Sequence, residues 1–157
     1  MSQDQGELFR VSLDDLDDIV NPLVDGDPNE TLGVAEYARA LRVSDETVRR
    51  REKEGQVISF LSSHRKRGRS YPVFQTWEGI RGEPLKEVLK QLTDGGAQTF
   101  AFFTAINDTL GGLTPIEALL GRLTSHRDVG EGLGLLNQGA VKRREAVMAA
   151  AEAFSHS

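Results

Sequence analysis

The sequence contains no cysteine, only three histidines and no long apolar run. Without cysteine the chain can form neither a disulfide nor a thiolate metal site. His64, His126 and His156 are scattered and lack metal-ligand spacing, so we expect no metal and no cofactor. No stretch approaches the roughly 18–20 apolar residues of a membrane-spanning helix, and the first residues lack a secretory signal pattern. These absences favour a soluble, cytoplasmic protein.

A catalytic motif is also absent from the sequence. There is no cysteine nucleophile, and serine, histidine and aspartate occur in no arrangement typical of nucleophilic catalysis. The glycines at 130, 132 and 134 do not form a phosphate-binding loop, because no strand precedes them and no Lys-Ser/Thr pair follows. We therefore do not expect an enzyme.

The net charge of −5 is distributed unevenly along the chain. Residues 1–30 contain nine acidic residues and one basic residue, whereas residues 31–74 contain ten basic and five acidic residues. Residues 75–157 are nearly balanced, with eight basic and ten acidic residues. Attraction to nucleic acid depends on local charge, so the middle segment is the candidate nucleic-acid interface.

Residues 33–53 have the pattern of two short helices joined by a tight turn. Apolar Tyr37 and Ala38 belong to the inner side of the first helix. Ser44 is a good N-cap for the second helix. Val48 is the only strongly apolar residue in that helix, so a narrow face points inward and a long polar face points outward.

The spacing of Ala38, the turn residue Arg42 and Val48 resembles the helix-turn-helix of bacterial transcription regulators. That motif usually has glycine where Arg42 stands, because glycine accepts a positive φ. The resemblance implies that the second helix enters the major groove of DNA. The alternative is an ordinary helical hairpin with a solvated basic face.

Two apolar segments follow, at residues 57–61 and 71–74, with a polar loop between them that contains Gly68. This pattern predicts a β-hairpin. The loop is rich in arginine and lysine, and its place after a basic helix resembles the wing of regulators of the MerR or excisionase type. Such a loop can reach phosphates or the minor groove; the alternative is a solvated loop.

These segments supply the candidate DNA-binding residues. Arginine and lysine can bind guanine or phosphate, and glutamate can accept from a cytosine amino group. The candidates are the polar residues at the start of the second helix, its outer cations and the basic loop: Ser44, Glu46, Thr47, Arg49, Arg50, Lys53, His64, Arg65, Lys66, Arg67 and Arg69.

The segment after the basic loop predicts three further helices. Leucine and valine spacing predicts one at residues 85–92, and a phenylalanine-rich stripe predicts another at 97–107. The third begins with Thr114 as N-cap, Pro115 at the first helical position and Glu117 completing a capping box.

The sequence Leu-Gly-Gly-Leu-Thr-Pro-Ile-Glu-Ala-Leu at 110–119, with Tyr-Pro-Val-Phe-Gln at 71–75, resembles the toxin-binding domain of Xre/MbcA/ParS-type antitoxins. The resemblance implies a small helical domain that binds and blocks a toxin, commonly an NAD-consuming toxin of the RES type. The alternative is a well-capped turn between helices that needs no partner. The residues that the resemblance assigns to partner binding are Leu110, Gly111, Gly112, Thr114 and Pro115.

The two ends of the chain allow several interpretations. Residues 13–20 predict an acidic helix that serves as a structural arm, competes with DNA for the basic surface or is simply disordered. Residues 124–134 are glycine-rich and predict a loop. Residues 140–154 predict a helix that packs on the core or on a second subunit, or that adds a contact to DNA phosphate.

We therefore predict a mainly α fold, with a helix-turn-helix and a small β-hairpin wing followed by a short helical bundle. The predicted segments are an acidic N-terminal arm (1–30), a winged helix-turn-helix domain (31–75), a helical interaction domain (76–123) and a C-terminal loop and helix (124–157). We expect a homodimeric, sequence-specific regulator of transcription that binds double-stranded DNA and carries a protein-interaction domain. The alternative is an antitoxin that neutralises a toxin and regulates its own operon.

Overall fold

The computed structural model describes residues 23–61 and 68–156. These residues are mainly helical, as predicted, and include one two-stranded sheet that pairs β1 (Thr31–Leu32) with β2 (Tyr71–Pro72). The helix predicted at 13–20 lies outside the described residues. The helices within them are α1 (Val34–Leu41), α2 (Asp45–Lys53), α3 (Glu83–Gln91), α4 (Gly96–Thr104), α5 (Pro115–Leu120), α6 (Gly132–Leu136) and α7 (Ala140–Ser155).

A turn at Arg42 joins α1 to α2. Arg42 has φ 59° and ψ 42°, and the amide of Val43 donates to the carbonyl of Ala38 at 3.0 Å. The chain thereby reverses within three residues, and the inner faces of the two helices meet. Ala38 and Val48 are almost fully buried at this crossing, where a small side chain on α1 lets α2 approach closely.

Two tyrosines complete this small core. Tyr37 of α1 and Tyr71 of β2 are 3% and 2% exposed, and their rings stack with centroids 5.1 Å apart. Offset stacking of aromatic rings stabilises a core beyond the area that it buries. The stack therefore ties the helix pair to the sheet.

β2 pairs with β1, whereas the sequence predicts that it pairs with residues 57–61. The antiparallel register places Leu32 opposite Tyr71 and Thr31 opposite Pro72. Pro72 has no amide hydrogen to continue a ladder, and the chain turns directly into a 3-10 helix at Val73–Thr76. The predicted second strand is therefore only two residues long.

The predicted hairpin is reduced to one pair of residues. Phe60 and Ser70 exchange two backbone hydrogen bonds, of 3.1 and 2.7 Å. Beside them, the buried side chain of Gln75 accepts from the amide of Ile58 and donates to its carbonyl, both at 2.9 Å. The prediction of a regular strand at 57–61 was wrong, because a side chain satisfies the backbone groups that a longer ladder would use.

Helices α3 to α7 enclose the larger core. Phe103 of α4 contacts Phe74 with ring centroids 5.2 Å apart, and Phe102 lies between Phe103 and Phe154 of α7. Ile58 is buried in the same core. Val57 packs against the separate small core of the helix pair, so the adjacent residues 57 and 58 link the two cores. None of the helices in residues 23–61 and 68–156 has both the length and the apolar character that crossing a membrane requires.

The start of α5 forms the predicted capping box. Thr114 Oγ1 accepts from the amide of Glu117 at 3.2 Å, and Glu117 Oε1 accepts from the amide of Thr114 at 2.8 Å.

α4 ends at Thr104, short of the predicted residue 107. Asn107 instead caps a 3-10 turn, where its Oδ1 accepts from the amide of Thr109 at 2.9 Å.

α6 lies partly within the segment predicted as loop. It packs where two glycines allow backbones to touch: the amide of Gly132 donates to the carbonyl of Gly111 at 3.0 Å. A Cβ on Gly111 would lie 2.6 Å from the nitrogen of Gly132. This helix is too short and too rich in glycine for periodicity to reveal it, and it depends on a contact distant in sequence.

Candidate nucleic-acid interface

α2 is fixed at its N-terminus and along its inner face. Ser44 Oγ accepts from the amide of Thr47 at 3.1 Å, and the two hydroxyl oxygens are 2.9 Å apart. Ser44 nevertheless stays exposed, and Thr47 is half-buried. Val48 is completely buried. With the inner face held by Val48, the orientation of the opposite face is determined.

The outer face of α2 carries three exposed cations. Glu46, Arg49, Arg50 and Lys53 are all exposed. Within the part of the chain that the structure describes, the three cations form no salt bridge. Residues 46, 49, 50 and 53 have the i, i+3, i+4, i+7 spacing that places side chains on one side of a helix. The structure therefore brings these four predicted residues together on one accessible surface.

The tyrosine stack behind α2 is electrically neutral at ordinary pH. Burial, together with the nearby carboxylate of Glu52, raises the pKa of Tyr71 to about 12. Burial also raises the pKa of Tyr37 above its usual range. Both phenols keep their protons, so the helix pair rests on an uncharged support.

Arg69 is occupied inside the chain. Its Nε donates to Ser59 Oγ at 2.7 Å, its Nη2 donates to the carbonyl of Ser59 at 3.0 Å, and its Nε lies 3.3 Å from Glu52 Oε1. Ser59 Oγ donates in turn to the carboxylate of Glu52. The structure thus gives Arg69 an internal role, and a phosphate contact by its remaining donors stays a prediction. The sequence held no signal for this cluster, because its members are far apart in the chain.

Four of the predicted DNA-binding residues belong to residues 62–67 of the basic loop. His64, Arg65, Lys66 and Arg67 lie outside the described residues, and their contact with DNA stays a prediction. Arg42, the turn residue that is not among the predicted DNA-binding residues, is exposed beside α2. It is the one non-glycine residue with positive φ among residues 23–61 and 68–156, and the missing turn glycine was the signal that could have identified it.

The predicted partner-binding residues lie mostly inside the bundle. Leu110, Thr114 and Pro115 are buried, whereas Gly111 and Gly112 are partly exposed. The three buried residues therefore build the turn and the start of α5. Their contact with a partner stays a prediction, and only the two glycines present accessible surface for it.

Glu117 organises the segment beyond α5. Its carboxylate is fully buried and accepts from both terminal nitrogens of Arg127 at 2.6 Å and from the amide of Thr124 at 2.8 Å. Arg127 also donates to the carbonyl of Gly112 at 3.0 Å. A bidentate pair with these additional hydrogen bonds is satisfied internally. The sequence predicted Glu117 as a capping residue but not this wider role.

No protein-family model, no curated protein and no solved structure matches the chain. A function for it therefore follows only from its own residues and their arrangement.

Proposed function

We propose that the chain is a sequence-specific regulator of transcription that binds double-stranded DNA, with α1 and α2 acting as a helix-turn-helix. The observation that carries this proposal is the outer face of α2. Arg49, Arg50 and Lys53 are exposed there and unpaired among the described residues, while Val48 anchors the opposite face. Positive side chains without an internal partner are suited to an external anion.

The width of a helix supports the major groove as the docking site. A helix with its side chains is about 10–12 Å across, and the major groove is about 12 Å wide. Arg49 and Arg50 can bind guanine through two donors. Ser44 and Thr47 at the start of α2 suit a phosphate, and Glu46 suits a cytosine amino group.

The basic segment that follows α2 serves as a wing in this proposal. The backbone pair of Phe60 and Ser70 brackets residues 62–67, which contain four of the candidate DNA-binding residues. Cations at this place, adjacent to α2 in the chain, would hold the phosphates that flank the groove. Phosphate contacts add affinity without sequence preference, whereas α2 supplies the preference.

Fluorescence anisotropy tests the proposal with the chain's own upstream DNA and a shuffled duplex, across a salt series. We expect wild type to prefer the upstream DNA and Arg49→Ala/Arg50→Ala to lose that preference. Arg65→Ala/Lys66→Ala/Arg67→Ala should weaken binding to both duplexes equally. The matched control is Lys86→Ala/Lys90→Ala, which removes two exposed cations from α3 and should bind like wild type.

Either of two results would count against the proposal. Equal binding of wild type to both duplexes at every salt concentration would exclude preference for the upstream DNA. Equal loss in the α2 variant and in the α3 control would mean that total charge, rather than the face of α2, governs binding.

An antitoxin function is the second candidate, and one feature of the surface favours it. Ile106 and Leu133 are 63% and 51% exposed, although both are apolar. Both lie next to the Gly111–Gly112 turn in the fold. Asn107, which follows Ile106, accepts from the amide of Gly112, and Gly132, which precedes Leu133, donates to the carbonyl of Gly111. Co-expression with a RES-type toxin encoded next to this chain tests it. Ile106→Asp should abolish co-purification and leave DNA preference intact, whereas Val141→Asp, at another exposed apolar position, should change neither.

A further inference from the structure

Ser59 is the point at which three parts of the chain meet. Its side chain is 4% exposed and lies between the carboxylate of Glu52 and the guanidinium of Arg69. Glu52 belongs to the last turn of α2. Ser59 precedes the basic loop in the chain, and Arg69 follows residues 62–67 of that loop. The cluster therefore joins both sides of the basic loop to the helix.

The arrangement of donors makes this junction rigid. Arg69 contacts Ser59 twice, at its Oγ and its carbonyl, and also faces Glu52. The next residues toward the loop and the sheet, Phe60 and Ser70, hold each other through two backbone hydrogen bonds. A planar guanidinium that bonds in a forked geometry fixes direction as well as distance.

The negative charge of Glu52 is unfavourable for DNA binding. Glu52 lies in a helix whose exposed residues include Arg49, Arg50 and Lys53, and a carboxylate near a DNA surface repels phosphate. Its side chain is only 24% exposed and faces Arg69. The charge of Glu52 weakens long-range attraction to DNA, but its side chain anchors the base of the loop. A positioning role therefore explains an acidic residue at this place.

We propose that Glu52 is a positioning residue for DNA binding: acting through Ser59 and Arg69, it fixes the base of the basic loop relative to α2, so that helix and loop engage one duplex together. This inference rests on the proposed function. Preorganisation of this kind raises affinity because less ordering is left to occur on binding. Glu52 itself touches no DNA in this scheme.

The test exploits the sign of the effect. Removal of a carboxylate near DNA should tighten binding if charge alone matters, whereas loss of the junction should weaken it. We expect Glu52→Ala to weaken binding to the upstream duplex about tenfold. Glu54→Ala, which removes an exposed carboxylate at the C-cap of the same helix, should bind as well as wild type or slightly better.

Arg69→Lys gives a second variant that keeps the charge. A lysine could still contact phosphate but cannot reproduce the fork between Ser59 and Glu52. We expect it to weaken binding as Glu52→Ala does. Urea denaturation of every variant identifies those that fold, and affinity is compared only among folded chains. The test needs only one of Glu52→Ala and Arg69→Lys to fold.

A double-mutant comparison separates positioning from general damage. In the background Arg65→Ala/Lys66→Ala/Arg67→Ala, Glu52→Ala should change affinity by less than about twofold, because no loop contact is left to misplace. The same loss in both backgrounds, or binding by Glu52→Ala as strong as by Glu54→Ala, would overturn the inference. Failure of wild type to distinguish upstream from shuffled DNA would instead refute the proposed function, and the inference with it.

Discussion

Arg42 has a backbone conformation that its side chain disfavours. Its φ of 59° costs a residue with a Cβ about 1–2 kcal/mol. Glycine avoids this cost but has more freedom in the unfolded chain, which offsets about 0.4–1 kcal/mol. We therefore expect Arg42→Gly to raise the free energy of unfolding by about 0.5 kcal/mol, as measured by urea denaturation.

Arg39→Gly is the matched control for this substitution. Arg39 is another exposed cation, but it lies in the last turn of α1. Glycine inside a helix costs about 1 kcal/mol, so this variant should be less stable than wild type. A fall in stability of the same size for Arg42→Gly would show that the turn is not strained.

Glu117 is the buried carboxylate on which the turn after α5 depends. Replacement by glutamine keeps the shape but removes the charge that balances Arg127 at 2.6 Å. Breaking such a buried pair on one side costs about 3–5 kcal/mol, and we expect Glu117→Gln to lower the free energy of unfolding by about 3 kcal/mol. Glu131→Gln, at an exposed carboxylate, should leave the urea midpoint unchanged; a similar shift for both would contradict this.

The same carboxylate makes stability depend on pH. Burial alone would raise the pKa of Glu117, but hydrogen bonds from Arg127, Thr114 and Thr124 lower it below the ordinary 4.5. The stabilisation is complete above that ordinary value and is lost as the pH falls through the lower pKa of the folded state. Urea midpoints below pH 4.5 should therefore fall more steeply for wild type than for Glu117→Gln, and parallel curves would refute this.

The contact between α4 and the base of the basic loop leaves no room for a side chain. A Cβ on Gly96 would lie 1.7 Å from the carbonyl oxygen of Ser59, and that oxygen is already held by Arg69. Because the obstacle is backbone, the elements themselves would have to separate. We expect Gly96→Ala to lower the free energy of unfolding by about 1–3 kcal/mol, again by urea denaturation.

The preceding glycine provides the control. Gly95 caps α4 with φ −63°, and nothing would lie within 4 Å of a Cβ there. Gly95→Ala should therefore stay within about 1 kcal/mol of wild type. Equal losses at the two positions would mean that the helix start, rather than the contact with Ser59, sets the cost.

Helix starts could be predicted from sequence because a cap is formed by neighbours in the chain. Ser44 and Thr114 accept from the amides three residues on, as their side chains predict. The exposed cations of α2 followed in the same way from Val48, since one buried residue determines which side of a short helix faces water.

The contacts between elements could not be predicted in this way. The partner of Tyr71 in the sheet is Leu32, which precedes both α1 and α2 in the chain. Hydrophobic patterning does not say which of two strands will pair with a third. Arg69 looked like one more cation of a basic loop, because Ser59 and Glu52 become its neighbours only after folding. The sequence thus predicted the surface of the candidate site better than the junction beneath it.

For the whole molecule, charge distribution predicts how binding responds to salt. The net charge is −5, so only the local basic surface can attract DNA. If about six phosphates are neutralised, the slope of log affinity against log salt should be on the order of −5. Arg65→Ala/Lys66→Ala/Arg67→Ala should reduce its magnitude by about 3, whereas Lys86→Ala/Lys90→Ala should not change it. An unchanged slope in the loop variant would remove those residues from the interface.

Under the proposed function, the size of α2 predicts a dimeric assembly on DNA. Nine residues with one basic face cover only a few base pairs, so one copy offers a small footprint. A two-fold symmetric dimer would place two copies of α2 in successive major grooves, about 34 Å or one helical turn apart. We expect light scattering to give two chains per duplex that carries an inverted repeat of this spacing.

A duplex in which one half-site is shuffled is the control for symmetry, because only the second copy of α2 loses its bases. Binding should weaken strongly there, while insertion of about five base pairs between half-sites, which turns the grooves to opposite sides, should weaken it comparably. A monomer by light scattering both free and on the intact site would exclude the dimer. Recognition would then have to come from a single α2 and the basic loop beside it.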